Sequence, residues 1–206
     1  MPHLRPKITT LIFDCFGVIS DQVLGSWYRI NSQKYGFTDD NLPKVFEKFD
    51  LGEYSEDDII DYFLKYKGVN STKEKLREEI DGYLKLNNLL FSFIKKLKSK
   101  GYKLVLLSNA NSAFFTRKVF PTYPEIKEVF DEVIISSDIG MIKPNEDIYK
   151  YALNKIHSRP EETLFVDDGK NNVDAAQKIG MQGYIYTDFK SFKEHITMFG
   201  IEVVNK

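Results

Sequence analysis

Five times along the chain, a short apolar run rich in β-branched residues stops at an acidic, hydroxyl or amide side chain. Lys7 to Phe13 ends at Asp14, Lys103 to Leu107 at Ser108-Asn109, Val133 to Ile135 at Ser136-Ser137, Thr163 to Val166 at Asp167-Asp168, and Gly183 to Tyr186 at Thr187-Asp188. Runs of this kind suit strands buried on both faces. Helical patterns lie between them. Asn88 to Ser99 gathers Leu89, Leu90, Phe93, Ile94 and Leu97 on one side and is followed by Gly101 as a stop. Pro144 opens a second helix with Ile148, Ala152 and Ile156 in line, and Asn171 or Asn172 caps a third that carries Val173, Ala176 and Ile179. Strand alternating with helix predicts an α/β fold, a Rossmannoid three-layer sandwich around a parallel sheet. The expected strand order is of the flavodoxin type, extended at its edge.

Residues 18–87 break the alternation, with no strong strand and three or four amphipathic helices. Ser55-Glu56-Asp57-Asp58 and Ser71-Thr72-Lys73-Glu74 have capping-box patterns, and each precedes an apolar stripe. The expected organisation is a core of residues 1–17 and 88–206 with a helical cap of residues 18–87 inserted after the first strand. An insert there lies beside the carboxyl ends of the strands, where open α/β sheets bind ligands, as a lid would.

A chain of 206 residues buries roughly 70% of its unfolded surface, so it needs neither disulfides nor metal staples. Its 29 Lys and Arg oppose 30 Asp and Glu, leaving a net charge of −1. That gives no basic field for nucleic acid or an anionic membrane. The longest apolar stretches are a few residues, short of the roughly 18 needed to span a bilayer. Asp14 also interrupts the run after Arg5 and Lys7 before it can serve as a signal segment. With the single Cys15 unable to form an internal disulfide, a cytoplasmic protein is expected. The patterning leaves oligomeric state open.

If the strands are parallel, Asp14, Ser108, Asn109, Asp167 and Asp168 collect at one edge, with Lys143 in a loop after the third strand. Three carboxylates and one ammonium repel and perturb one another unless a cation and an anion come between them. A divalent metal with a phosphate fills that role. Oxygen donors without His or Cys point to Mg²⁺.

These residues resemble the haloacid dehalogenase-like (HAD) hydrolase superfamily. Phe13-Asp14-Cys15-Phe16-Gly17-Val18 is similar to its first motif, Leu107-Ser108-Asn109 to the second, Ile142-Lys143-Pro144 to the third, and Phe165 to Asn172 to the fourth. The four occur in order across residues 7–187. The likeness is greatest to subfamily IA, with a helical cap after motif one, and to its sugar-phosphatase branch. The resemblance implies a phosphatase acting on a small phosphorylated molecule, with Asp14 as the nucleophile that forms an aspartyl-phosphate. It implies that Ser108 and the Asn109 amide hold a phosphate oxygen and that Lys143 offsets charge. Asp14, Asp168 and the Phe16 carbonyl would hold Mg²⁺, with Asp167 either binding it or supporting its ligands, and Asn172 would orient these groups from behind.

One position departs from the pattern. Most phosphatases of the superfamily have a second Asp two residues after the nucleophile, the general acid that protonates the leaving alcohol. Phe16 has no proton to give, a deficit typically worth roughly 10²- to 10⁴-fold. Three consequences are expected. The proton comes from elsewhere, with Asp21 as a candidate; or the preferred substrate is an anomeric, phenolic or acyl phosphate that leaves with less help; or the protein binds phosphate and regulates rather than turns over. A haloacid dehalogenase also needs no acid, but it would leave Asp167 and Asp168 repelling Asp14 with no metal between them. Phosphonate hydrolysis would need a marked lysine in the cap, and Lys34, Lys44 and Lys48 carry no such mark.

Other residues have plainer readings. Cys15 lacks the Arg six residues on that a thiol phosphatase needs and reads as a small buried filler. His3, His157 and His195 are scattered and read as surface residues. The aromatic residues of the cap fall at helical spacing and read as core. Among them Trp27 and Tyr28, with Arg29, lie near the expected junction, where one of the three is expected to meet substrate.

Overall fold

A parallel sheet in the order β3-β2-β1-β4-β5 forms the centre of the computed structural model, which describes residues 7–37 and 41–201. His3 and Arg5 lie outside the described residues. The strands are β1 (Thr10–Phe13), β2 (Lys103–Ser108), β3 (Glu132–Ile135), β4 (Thr163–Asp167) and β5 (Gln182–Ile185). Register sets the edge that matters. Phe13 pairs with Leu106 on one side and Val166 on the other. The next residues in each strand direction, Asp14, Leu107 and Asp167, therefore share one row at the carboxyl ends.

The order differs from the expected flavodoxin type, in which β3 would lie inside the sheet beside β1. The reason is burial. All residues of β1 and β4 are buried, whereas β3 begins with the half-buried Glu132 and Val133 and β5 is half-buried to exposed. A strand with Glu132 in it is suited to an edge, and a fully buried β4 needs a neighbour on each side. The chain reverses direction between β1 and β4, which makes that seam the switch point where ligands bind in such sheets.

Alternation along the strands divides the core. Leu11, Phe13, Leu104, Leu106, Leu164 and Val166 pack toward α5 (Asn88–Ser99) and α12 (Phe189–His195). Ile12, Val105, Leu107 and Phe165 pack toward α10 (Glu146–Lys155) and α11 (Lys170–Lys178). Three layers result, as the strand–helix alternation predicts. Asn145 caps α10 by accepting from the Asp147 amide at 3.0 Å. Gly169 stands at the N-cap of α11, so Asn171 and Asn172 lie in its first turn rather than capping it.

Four helices occupy the stretch between β1 and α5: α1 (Val23–Tyr35), α2 (Leu42–Asp50), α3 (Glu56–Leu64) and α4 (Lys73–Asp81). Ser55 and Asp58 form the expected capping box on α3. On α4 the cap is Thr72, whose Oγ1 accepts from the Lys75 amide, one residue later than the Ser71 pattern indicates. The remaining helices are short. Ser112–Phe114 (α6), a π-helical turn at Phe115–Val119 and Phe120–Thr122 (α7) run end to end, followed by α8 (Ile126–Val129) and α9 (Ser136–Ile139). No described helix is long and apolar enough to cross a membrane.

The insert has an aromatic centre. Phe63 is fully buried, and its ring lies 4.8 Å from that of Trp27 and 5.2 Å from that of Phe37. Tyr28 stacks on Phe37 at 5.5 Å, and Phe37 meets Tyr66 edge-on at 4.7 Å. The chain turns from α1 to Phe37 through Gly36 at φ 65°, a left-handed conformation that suits glycine. Removing the ring of Phe63 deletes the hub of this cluster. Phe63→Ala is expected to lower stability by about 3–5 kcal/mol, and Ile30→Ala, at a position 60% exposed, by less than about 0.5 kcal/mol. Urea unfolding of both variants checks the contrast.

Candidate active site

Asp14 follows the last residue of β1 and is anchored there by its own amide, which donates to the Val166 carbonyl at 2.9 Å. The chain then doubles back. The Cys15 carbonyl accepts from the amides of Ile19 and Ser20 at 2.9 and 2.8 Å, and the Gly17 amide donates to Ser20 at 2.6 Å. Gly17 has φ 103°, and a Cβ on it would stand 2.3 Å from Asp168 Oδ2. Glycine is needed there on both counts, because this turn brings backbone directly against the Asp168 carboxylate.

Lys143 ties the strand ends together. Its Nζ donates to Asp14 Oδ1 at 2.6 Å, to Asp167 Oδ2 at 2.7 Å and to the Leu107 carbonyl at 3.0 Å. All three ammonium donors are engaged, one on each of β1, β4 and β2 or the residue beyond. The backbone of Lys143 is fixed in turn by Asn109, whose Oδ1 accepts from the Lys143 amide at 2.8 Å and whose Nδ2 donates to the Lys143 carbonyl at 2.9 Å. That side-chain clamp is a role the sequence does not announce. Asp167 is fully buried, and its Oδ1 accepts from the Gly169 amide at 2.8 Å and from Asn172 Nδ2 at 2.9 Å. Asn172 thus orients Asp167 from behind.

Asp14, Asp167 and Asp168 present carboxylate oxygens within 4.8 Å of one another. Asp168 is the least buried of the three, and Gln22 at the start of α1 donates to its Oδ2 at 2.8 Å. Burial raises the pKa of Asp14, opposed by Lys143 and reinforced by Asp167 and Asp168. Asp168 is raised by burial and then by Asp167. Burial alone would lower Lys143, yet the Asp14 and Asp167 carboxylates hold it above its ordinary value. One ammonium against three carboxylates leaves two negative charges uncompensated when all are ionised. An all-oxygen donor set with that charge fits a hard divalent cation.

These groups open onto a cavity of about 310 Å³. Asp14, Phe16, Asn109, Lys143, Asp168 and Asn172 line it, so most of the residues expected at the site meet there. Ser108 is different. It is fully buried at the end of β2, does not line the cavity, and its Oγ has no hydrogen-bond partner among the described residues. Cys15 is buried and its thiol is pushed well up by burial, with Asp14 adding to the effect, so it stays protonated and inert as its filler reading requires. His157 and His195 are exposed.

Trp27, Tyr28 and Arg29 do not reach the cavity, contrary to expectation: Trp27 is fully buried in the aromatic cluster and Arg29 is exposed. Asp21 is exposed and also absent from the lining, as are Lys34, Lys44 and Lys48. The insert instead contributes Asp50, Glu56 and Asp81, the last two paired with Arg117 of the segment after β2. The Arg117 guanidinium reaches from the π-helical turn to Asp81 on α4 at 2.6 Å and Glu56 on α3 at 2.5 Å. Asp50, the last residue of α2, has its backbone carbonyl held by Ser136 Oγ at 2.5 Å. Burial pushes its carboxyl up to about 7, with Lys143 opposing. Neither residue has a motif around it; both are brought in by the packing of the insert.

Lys143 is 3% exposed, so replacing it strands two buried carboxylates. Lys143→Met is expected to cost about 3–5 kcal/mol in urea unfolding without divalent cations. A loss under about 1 kcal/mol would mean that the ammonium is not the group that stabilises this row.

A family model for haloacid dehalogenase-like hydrolases matches residues 8–180. Among curated relatives, a sesquiterpene phosphatase of Aspergillus oryzae is 27% identical over 152 residues, covering 70% of this chain and 74% of that protein. A D-ribitol-5-phosphate phosphatase of Bacteroides thetaiotaomicron is 23% identical over 205 residues, covering 93% and 98%. A solved HAD-like family hydrolase from Porphyromonas gingivalis superposes with a TM-score of 0.73 at 26% identity, over 95% of this chain and 99% of that one. A HAD family enzyme of Bacteroides thetaiotaomicron, solved with magnesium and inorganic phosphate, has a TM-score of 0.70 at 22% identity over 87% and 94%. With the four motifs brought to one edge of the sheet and the family model spanning most of the chain, the protein belongs to the haloacid dehalogenase-like hydrolases.

Proposed function

We propose that the protein is a Mg²⁺-dependent phosphatase that cleaves a small phosphomonoester through an aspartyl-phosphate on Asp14. The observation that carries this reading is the buried Lys143 ammonium joining Asp14 to Asp167, with Asp168 completing a three-carboxylate cluster beside a cavity. The phosphatase names of the two curated relatives and the magnesium and phosphate of the solved neighbour support it.

Asp14 attacks phosphorus, and the bond from phosphorus to the organic oxygen breaks as the new bond to Asp14 forms. Water then attacks the same phosphorus and the bond from phosphorus to Asp14 breaks, releasing inorganic phosphate, while a proton from that water returns to the group that protonated the departing oxygen. Mg²⁺, held by Asp14, Asp168 and the Phe16 carbonyl with Asp167 beside them, would neutralise charge on the phosphoryl oxygens. Lys143 offsets the charge that Asp14 shares with the phosphoryl group. The Asn109 amide accommodates a phosphoryl oxygen that is not transferred, while Ser108, buried behind the cavity wall, supports the end of β2 rather than meeting substrate. Residues 18–87 act as a cap over a core of 1–17 and 88–206.

The departing oxygen needs a proton that Phe16 cannot supply. Asp50 lines the cavity, with its carboxyl largely buried there. With its pKa pushed up to about 7 by burial, it carries a proton in a large fraction of molecules near neutrality and takes the role that Asp21, exposed and away from the cavity, does not.

Phosphate release from 4-nitrophenyl phosphate is expected to need Mg²⁺, to stop with EDTA, and to fall at least about 10³-fold in Asp14→Asn. Chloride release from a haloacid, unaffected by EDTA, would instead favour the dehalogenase. Phosphate binding without turnover would favour a regulatory protein. Asp50→Asn is expected to lower kcat on an alkyl phosphate by about 10²-fold or more and on 4-nitrophenyl phosphate much less, because nitrophenolate departs without a proton. Equal losses on the two substrates would remove Asp50 from this role.

A further inference from the structure

We infer that the organic group of the substrate is apolar, an alkyl or aryl chain rather than a sugar or polyol. This inference rests on the phosphatase reading and names the substrate class of that same site.

The cavity has two unlike ends. Asp14, Asn109, Lys143, Asp168 and Asn172 form the ionic end. Away from it the helices contribute Leu24 from α1, Phe46 and Phe49 from α2, Ile59 and Ile60 from α3, and Ile80 from α4. The wall opposite continues this surface with Phe16 and Phe114, whose rings lie 6.0 Å apart. Phe16 therefore does more than omit an acid. It adds an aromatic face where the superfamily pattern has a carboxylate.

Polar groups do line the outer part, but most of them already hold partners within the protein. Arg117 is held by Glu56 and Asp81 together. Arg77 pairs with Asp57. Asn111 donates to the carbonyls of Phe49 and Tyr54 at 3.4 and 3.0 Å and accepts from the Ala113 amide at 3.0 Å. Asp50 is free to serve the leaving oxygen, and one carboxyl suffices for one such oxygen. A sugar or polyol carries several hydroxyls, each of which gives up water on entry and must find a partner in return. These walls offer few such partners. An alkyl or aryl group gives up no hydrogen bonds and is drawn in by burial against isoleucine, leucine and phenylalanine.

The test uses the full chain with Mg²⁺ and measures kcat/KM for ethyl, butyl and hexyl phosphate, for ribitol 5-phosphate, glucose 1-phosphate and glucose 6-phosphate, and for acetyl phosphate as a small reference. The expected result is a rise of about fourfold per methylene along the alkyl series, with hexyl phosphate at least about tenfold above each sugar or polyol phosphate. Leu24 is half-buried on α1, so Leu24→Gln can be accommodated without opening the core. It is expected to lower the hexyl-to-acetyl phosphate ratio of kcat/KM by about fivefold. A flat alkyl series, or a sugar or polyol phosphate that equals hexyl phosphate, would overturn the apolar assignment and leave the phosphatase reading standing. No phosphate release from any of the seven compounds would overturn both.

Discussion

A single ammonium group holds the carboxyl edge of the sheet together. Lys143 Nζ touches Asp14, Asp167 and the Leu107 carbonyl, the three neighbours in the row that register creates across β1, β4 and β2. Without a cation there, two carboxylates on adjacent strands would face each other in a region that excludes water, where charge repulsion is poorly screened. The surrounding contacts serve to keep that ammonium in place. Asn109 clamps the backbone of Lys143, and Asn172 with the Gly169 amide fixes the far oxygen of Asp167. The result is a rigid, negatively biased row, suited to receive a divalent cation and a phosphoryl group together.

What can be read from the sequence follows the range of the interactions concerned. The strand ends are legible because an apolar run that stops at Asp14 or Asp167 is a local signal, and α5 appears over its predicted residues because its stripe and stop are local too. Strand order is not local. It depends on which strand can tolerate solvent, and the Glu132 that marks β3 as an edge is informative only once the burial of β4 is known. Asn172 is legible as part of a motif, yet its partner Asp167 Oδ1 and its place inside the first turn of α11 depend on Gly169 capping that helix.

The insert follows the same logic more severely. Its helices are readable from capping boxes and stripes, but the faces they turn to the core are not. Trp27 and Tyr28 have the size and aromatic character that invite a substrate-binding reading, and that character draws them inward to Phe37 and Phe63. Asp50 and Arg117 have no motif, and they reach the cavity because α2 packs near α9 and because Arg117 in the π-helical turn is paired with Glu56 of α3 and Asp81 of α4. Arg117 also acts as a fastener: one guanidinium joined to Glu56 and Asp81 connects two helices of the insert to the polypeptide that follows β2.

The replacement of an acid by Phe16 and the apolar walls of the cavity are physically linked. An Asp at position 16 would be a further ionisable carboxyl close to Asp14, Asp167 and Asp168, in a site already two charges short of neutral, and it would interrupt the contacts that Phe16 makes with Phe114 and Phe115. A proton source at Asp50, on a helix of the insert, would relieve that crowding. It would also make protonation of the leaving oxygen depend on the insert resting against the core, where Ser136 Oγ holds the end of α2. An apolar organic group filling the space between the helices and Phe16 would strengthen the same contact by removing water from both surfaces. Substrate fit and proton delivery would then be one event, with bond cleavage favoured only when the cavity is dry and closed.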